Sequence, residues 1–127
     1  TIKEIQTVDS LNIVSFNFFD TTLTMMSLEL KDEVKVGKRV ILGIKPTTVA
    51  IAKNFTGEIS YSNQIDSTIE QIEIGKLLCS IKLSSNSTSF ESIITSKSAK
   101  KLNLKENDKV TAFIKASEIS ISKVLDD

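Results

Sequence analysis

The sequence predicts an all-β protein with one short helix, built from two related halves. Isoleucine, valine and threonine dominate the 127 residues, and apolar and polar residues alternate at positions 69–74 and 79–83, which is typical of half-buried strands. Turn-forming pairs separate the apolar runs, at positions 37–38, 62–63, 75–76, 85–86 and 107–108. Many short strands with this spacing favour a small barrel or a sandwich.

A gapless internal repeat relates the two halves of the chain. Residues 39–53 align on residues 109–123, and Val40, Ile44, Lys45 and Lys53 recur as the same residue types 70 positions later. Two copies are too few for a solenoid, so the pattern indicates a duplication. We therefore predict a first module over residues 1–53, which is degenerate, and a second module over residues 54–127.

The one predicted helix lies in the second half and begins after Thr95. Thr95 is a suitable N-cap for the run Ser96–Leu102. Ala99 and Leu102 are three residues apart and are expected to face the core, whereas the lysines between them face water. The first half has no such counterpart, because its segment 25–32 lacks the Thr-x-x-Ser pattern.

Composition argues against several classes of function. The formal net charge is zero, with 16 basic and 16 acidic residues, so a strong field for nucleic acid or an anionic membrane is absent. The chain has no histidine, which removes the commonest general base and the commonest metal ligand. We therefore expect no enzyme activity, no catalytic residues, no metal site and no cofactor.

The chain contains a single cysteine, Cys79, within an apolar run. One cysteine excludes an internal disulfide and fits a reducing compartment, so we expect a cytoplasmic protein in which Cys79 is buried. No apolar run reaches the roughly 20 residues of a membrane-spanning helix. The sequence begins at Thr1 rather than methionine, and we expect a processed protein or a piece of a longer one.

Hydroxyls and a lysine near the predicted helix indicate a site for a compact oxyanion. Thr95 and Ser98 lie at the helix start, and Lys115 ends the strand that follows it. A helix N-terminus presents free backbone N–H groups and a partial positive charge. A purely structural interpretation stays open, because Thr95 can simply cap a helix and Lys115 can simply end a strand at the surface.

Three ordered motifs give the second half a resemblance to the Mop, or TOBE, family of molybdate-binding modules. The motifs are Ala-Lys-Asn-Phe-Thr-Gly-Glu-Ile at 52–59, Ile-Thr-x-x-Ser-Ala-x-x-Leu-x-Leu at 94–104 and Ala-x-Ile-Lys-Ala-Ser-x-Ile at 112–119. The first half matches only in its terminal strand, at 36–40 and 44–47. The chain therefore resembles a tandem pair of these modules.

The resemblance implies a five-stranded, OB-like barrel for each module, with oxyanion sites between the subunits of a dimer or trimer. The site residues it implies are Lys53, Thr95, Ser98, Lys115, Ala116 and Ser117. The chain departs from the family at Ile51, where many members have serine, and at Asn107-Asp108, which replaces a glycine turn. Asparagine tolerates positive φ, so this turn can still form.

The resemblance implies a domain that binds molybdate or tungstate for sensing or storage, including the effector domain of a transcription regulator. The alternative is the C-terminal regulatory domain of an ABC transporter ATPase, whose phosphate-binding loop would lie upstream, since none is present here. An OB-type nucleic-acid binder is disfavoured, because the chain has one tyrosine, no tryptophan and zero net charge. We expect a homo-dimer, with a trimer as the alternative, that contacts neither membrane nor nucleic acid through this region.

Overall fold

A computed structural model describes residues 1–125 of the chain. The predicted fold class is confirmed, because the described residues form ten strands, one short α-helix and two single-turn 3-10 helices. The strands are β1 (Ile2–Val8), β2 (Leu11–Phe18), β3 (Thr21–Ser27), β4 (Val40–Ile44), β5 (Ala50–Ala52), β6 (Asn63–Ile74), β7 (Leu78–Ser85), β8 (Thr88–Thr95), β9 (Lys109–Ile114) and β10 (Ile119–Val124). The helix α1 spans Ser96–Lys101, and the 3-10 turns span Pro46–Thr48 and Ala116–Glu118.

The chain divides into two compact units, each with five strands. Unit 1 comprises residues 1–44, residues 61–63 and the segment that begins at Lys115, and unit 2 comprises residues 45–60 and 64–114. Unit 1 contains the antiparallel sheet β1-β2-β3 and the pair β4-β10, and unit 2 contains the sheet β5-β9-β6-β7-β8. Five strands per unit agree with the tandem five-stranded barrels expected from the sequence.

The two halves of the repeat exchange their last strands. After β4 the chain turns through Pro46–Thr48 into β5, which pairs with β9, and after β9 it turns through Ala116–Glu118 into β10, which pairs with β4. The two turns lie 70 residues apart, at the offset of the sequence repeat. The compact units are therefore discontinuous in sequence, and the boundary between residues 53 and 54 stays a prediction about the repeat.

Alternation along β2 and β7 places one face of each of these two strands in a core. In unit 1, Val14 and Phe16 of β2 are buried two residues apart, and in unit 2 Cys79, Ile81 and Leu83 of β7 follow the same period. Burial of each large aliphatic side chain contributes roughly 1.5–3 kcal/mol. Cys79 is buried, as expected from its apolar surroundings.

A buried hydroxyl links edge strand β8 of unit 2 to the residue before the other edge strand, β5, and α1 is bonded to the turn between β6 and β7. Ser92 of β8 is fully buried, and its Oγ donates to the Val49 carbonyl oxygen, just before β5, at 2.6 Å. Ala99 of α1 is buried, and the Ser96 hydroxyl donates to the Gly75 carbonyl oxygen at 2.8 Å. The predicted helix is thus confirmed, and both contacts attach it and β8 to their neighbours.

Candidate functional site

Thr95 and Ser98 form a pair of exposed hydroxyls at the start of α1. The Thr95 backbone is extended, and its Oγ1 accepts the Ser98 N–H at 3.2 Å, which is the geometry of an N-cap. The Thr95 hydroxyl also donates to Ser98 Oγ at 2.9 Å. Because Ser98 Oγ accepts this bond, its own proton can be donated to a further acceptor.

Lys53 lies at the other end of the helix. Its Nζ donates to the carbonyl oxygens of Leu102, at 3.3 Å, and Asn103, at 3.0 Å. A cation beside the last carbonyls of a helix is favourable, since these groups have no partner within the helix. Lys53 Nζ also lies 3.3 Å from Asp108 Oδ2, so this lysine joins the end of α1 to the turn before β9.

The Asp108 carboxylate has a defined electrostatic environment. Its Oδ2 accepts the Lys105 backbone N–H at 2.9 Å. This bond, followed by the hydrogen bond and charge of Lys53, lowers the pKa of Asp108, and desolvation opposes the shift only in part. The neighbouring Asn107 adopts φ 72°, so the Asn-Asp turn forms without glycine, as the sequence predicts.

A single chain does not bring Lys53 to the hydroxyl pair. The helix has six residues, and at about 1.5 Å of rise per residue its ends are roughly 9 Å apart. Lys53 contacts the C-terminal end, whereas Thr95 and Ser98 form the N-terminal end. The contacts of Lys53 are therefore made at the opposite end of α1 from the hydroxyl pair.

Lys115, Ala116 and Ser117 lie together in unit 1, at the second 3-10 turn. Lys115 has an extended backbone and its carbonyl oxygen accepts the Glu118 N–H at 2.9 Å. The first N–H groups of such a turn have no partner within it, so the N–H groups of Ala116 and Ser117 lie beside an exposed lysine. This arrangement offers a cation and two backbone donors to an anion.

The corresponding turn of the first half offers fewer donors. Lys45 precedes Pro46–Thr48 with a similar extended backbone, but proline has no N–H group. The Thr48 hydroxyl donates back to the Lys45 carbonyl oxygen at 2.7 Å. The local geometry of the repeat is therefore kept, while one backbone donor is lost.

Tyr61 is a neighbour of the candidate site that the sequence does not predict. The Lys115 Nζ lies 5.6 Å from the centroid of the Tyr61 ring, within unit 1. No local pattern links the two residues, because they are 54 positions apart in the sequence. The only available signal is that Tyr61 is the single tyrosine of the chain.

The donors assembled here are hydroxyl, ammonium and backbone N–H groups. Among residues 1–125, no group of three or more aspartate, glutamate, cysteine or histidine side chains could hold a metal ion. Within the same range no helix is long and apolar enough to cross a membrane. Both clusters present donors of the kind that form charge-assisted hydrogen bonds with anions.

Comparisons with known proteins give one family model and two similar solved structures. The model of the TOBE domain matches residues 59–121. A molybdate-binding protein from Sporomusa ovata is 33% identical and has a TM-score of 0.51, with coverage of 53% of this chain and 100% of that chain. The cytoplasmic molybdate-binding protein ModG, in a form with molybdate bound, has a TM-score of 0.89 at 23% identity, over 95% of this chain and 90% of that chain. Curated proteins give no significant match.

Proposed function

The chain belongs to the TOBE domain family, and from this membership we propose that it binds molybdate or tungstate as a sensing or storage domain in molybdenum homeostasis. The observation that carries the proposal is the turn at Lys115–Ser117, where a lysine precedes two backbone N–H donors. It coincides with a family motif in this sequence. The same binding step would serve the effector domain of a transcription regulator.

The chemistry of the anion fits these donors. A tetrahedral dianion has four oxygens, and hydroxyls, backbone N–H groups and lysines can all donate to them. Charge-assisted hydrogen bonds contribute roughly 1.5–3 kcal/mol each. Four or five of them support micromolar or tighter binding after the cost of association.

We also propose that the protein acts in the cytoplasm as a homo-dimer, with a trimer as the alternative, and that the anion lies between subunits. Lys53 contacts the end of α1 that is remote from Thr95 and Ser98, and a second copy would supply a cation to this hydroxyl pair. Two leucines beside the helix start support this assembly, because Leu77 is 81% exposed and Leu78 is 60% exposed. Leu78 lies opposite Thr95 in the β7-β8 register.

Light scattering with and without molybdate tests the assembly. The wild-type protein is expected to have the mass of a dimer or trimer, and Leu77→Glu is expected to shift it toward the monomer, because a charge would replace apolar contact area. A wild-type monomer at micromolar concentration in both conditions would contradict the proposed assembly.

Paired lysine variants test the function itself. In calorimetric titrations with molybdate, Lys115→Ala should weaken binding by roughly 2–5 kcal/mol, because the bound dianion would be partly buried and would lose the cation that pairs with it. Lys45→Ala, the matched variant in the first half, should cost less than about 1 kcal/mol, because the turn at Pro46 lacks one backbone donor and Lys45 would stay exposed without an anion. Equal losses, or a larger loss at Lys45, would assign the site to the other repeat.

Ligand choice gives a second test. Molybdate and tungstate have nearly the same size and charge, so fixed donors should discriminate poorly between them and better against the smaller sulfate. Calorimetry should therefore rank sulfate as the weakest ligand. Sulfate binding as tight as molybdate binding would contradict the proposed specificity, and a melting temperature raised only by a short oligonucleotide would favour nucleic-acid binding instead.

A further inference from the structure

The segment 61–63 is attached to unit 1 by a buried asparagine. Asn63 is fully buried, its Oδ1 accepts the Thr24 N–H at 2.6 Å and its Nδ2 donates to the Thr24 carbonyl oxygen at 2.9 Å. The side chain thereby pairs with the edge strand β3 as a neighbouring strand would. These two hydrogen bonds of the Asn63 side chain fix the start of β6. The half-buried Tyr61, two residues earlier, is therefore held in a defined place.

The Tyr61 ring lies against the ammonium group of Lys115. The distance of 5.6 Å from Nζ to the ring centroid is within the range of about 6 Å in which a cation is attracted to an aromatic face. Lys115 is itself exposed, and an exposed lysine loses the freedom of a long flexible side chain when it binds a ligand. The ring restricts that freedom before a ligand arrives.

We propose that Tyr61 is a positioning residue for the anion site, whose ring restricts the Lys115 side chain at the start of the turn that carries the N–H groups of Ala116 and Ser117. This inference rests on the proposed function. An ammonium group has three N–H donors, so contact with the ring on one side leaves donors for the oxygens of a dianion. Tyr61 thus lowers the cost of binding without itself touching the ligand.

Two variants separate the ring from the hydroxyl group. Tyr61→Leu keeps an apolar side chain but removes the aromatic face, and Tyr61→Phe keeps the face and removes the hydroxyl. In molybdate titrations, Tyr61→Leu should raise the dissociation constant about two- to fivefold, as expected for an exposed cation–π contact. Tyr61→Phe should stay within about twofold of the wild type.

Proton NMR of the Lys115 side chain gives a readout that needs no ligand. The methylene protons next to Nζ should be shifted upfield by the ring in the free wild type and in Tyr61→Phe, and this shift should disappear in Tyr61→Leu. Because Tyr61 is the only tyrosine and the chain has no tryptophan, intrinsic fluorescence at the same time reports whether molybdate changes the surroundings of this ring.

The outcomes distinguish the two proposals. If the wild type binds molybdate and Tyr61→Leu binds it equally tightly, the positioning role is overturned and the proposed function stands. Equal weakening in Tyr61→Leu and Tyr61→Phe would also overturn it, because the hydroxyl would then carry the effect. If the NMR shift is present but the wild type binds no molybdate, the proposed function fails, and the positioning role fails with it.

Discussion

Replacing Asn63 by alanine is expected to destabilise unit 1 more than most single substitutions in the chain. The side chain is fully buried and forms two hydrogen bonds with the backbone of Thr24. Alanine cannot replace either bond, so the N–H and the carbonyl group of Thr24 on the edge strand β3 both lose their partner. A cavity of the size of the amide group would remain at the same place.

The expected cost follows from these two bonds. Each typical hydrogen bond contributes a net 0.5–1.5 kcal/mol or so, and a buried group left without a partner costs about 1–3 kcal/mol. Thr24 is half-buried, so water can partly replace the lost partner and the lower values apply. We therefore expect Asn63→Ala to lower the free energy of unfolding by about 2–4 kcal/mol, a large share of the roughly 5–15 kcal/mol of an ordinary domain.

Urea unfolding measures this loss, with Asn17→Ala as the matched control. Asn17 is exposed on β2, and its replacement should change stability by less than about 0.5 kcal/mol. A third variant, Asn63→Asp, keeps an acceptor for the Thr24 N–H but presents a carboxylate to the Thr24 carbonyl oxygen. Its defect should shrink in acid, where the protonated carboxyl can donate. A loss below about 1 kcal/mol for Asn63→Ala would refute the reasoning, since water would then serve Thr24 as well as Asn63 does.

Three further predictions concern unit 2. Because its partners lower the pKa of Asp108, the carboxylate contributes stability that is present above the unfolded pKa of about 3.9 and lost as pH falls through the lower folded pKa. The urea midpoints of wild type and Asp108→Asn should therefore converge in acid. A gap between them that did not narrow as the pH fell below the unfolded pKa would contradict this. Burial raises the pKa of the Cys79 thiol, and the side chain is inaccessible to solvent. A thiol reagent should therefore label Cys79 only when the protein unfolds. Rapid labelling of the native protein would contradict this and show that β7 opens readily. Ser92→Ala removes the donor to the buried Val49 carbonyl oxygen and should lower the free energy of unfolding, measured by thermal unfolding, by about 1–3 kcal/mol. Replacement of the exposed Ser122 by alanine should leave the stability nearly unchanged. Equal effects of the two substitutions would show that the Ser92 hydrogen bond adds no stability.

Local signals in the sequence were sufficient for most elements of the fold. Thr95 was identified as an N-cap because capping depends on residues three positions apart, and the turns at 85–86 and 107–108 depend on residue types that tolerate positive φ. Asn86 and Asn107 adopt φ 50° and 72°. The adjacent methionines Met25 and Met26 show the limit of such reasoning, because residue type alone favours the core for both. Met25 is 3% exposed and Met26 is 41% exposed, since neighbouring residues of a strand face opposite sides.

Contacts between distant segments could not be predicted in this way. The repeat shows that the two halves are alike, but it does not show which half supplies the strand that pairs with β4. Likewise, the motifs identify Lys115 as a candidate ligand, whereas its contact with Tyr61 depends on how residues 61–63 return to unit 1. Lys53 was selected by its motif alone, and its hydrogen bonds to the end of α1 depend on tertiary packing.

The strand exchange determines which of the two units can be completed first while the chain is being synthesised. All residues of unit 2 have been translated once Ile114 is added, whereas unit 1 still lacks β10. Until then β4 has no strand partner and presents an open edge to other nascent chains. Its pairing with β10 joins Ile44 to Ile119, a contact between residues far apart in the sequence, which is slow to form. Unit 1 is therefore completed after unit 2, and a chain truncated just before Ile119 would keep every residue of unit 2 but leave β4 of unit 1 without its partner strand.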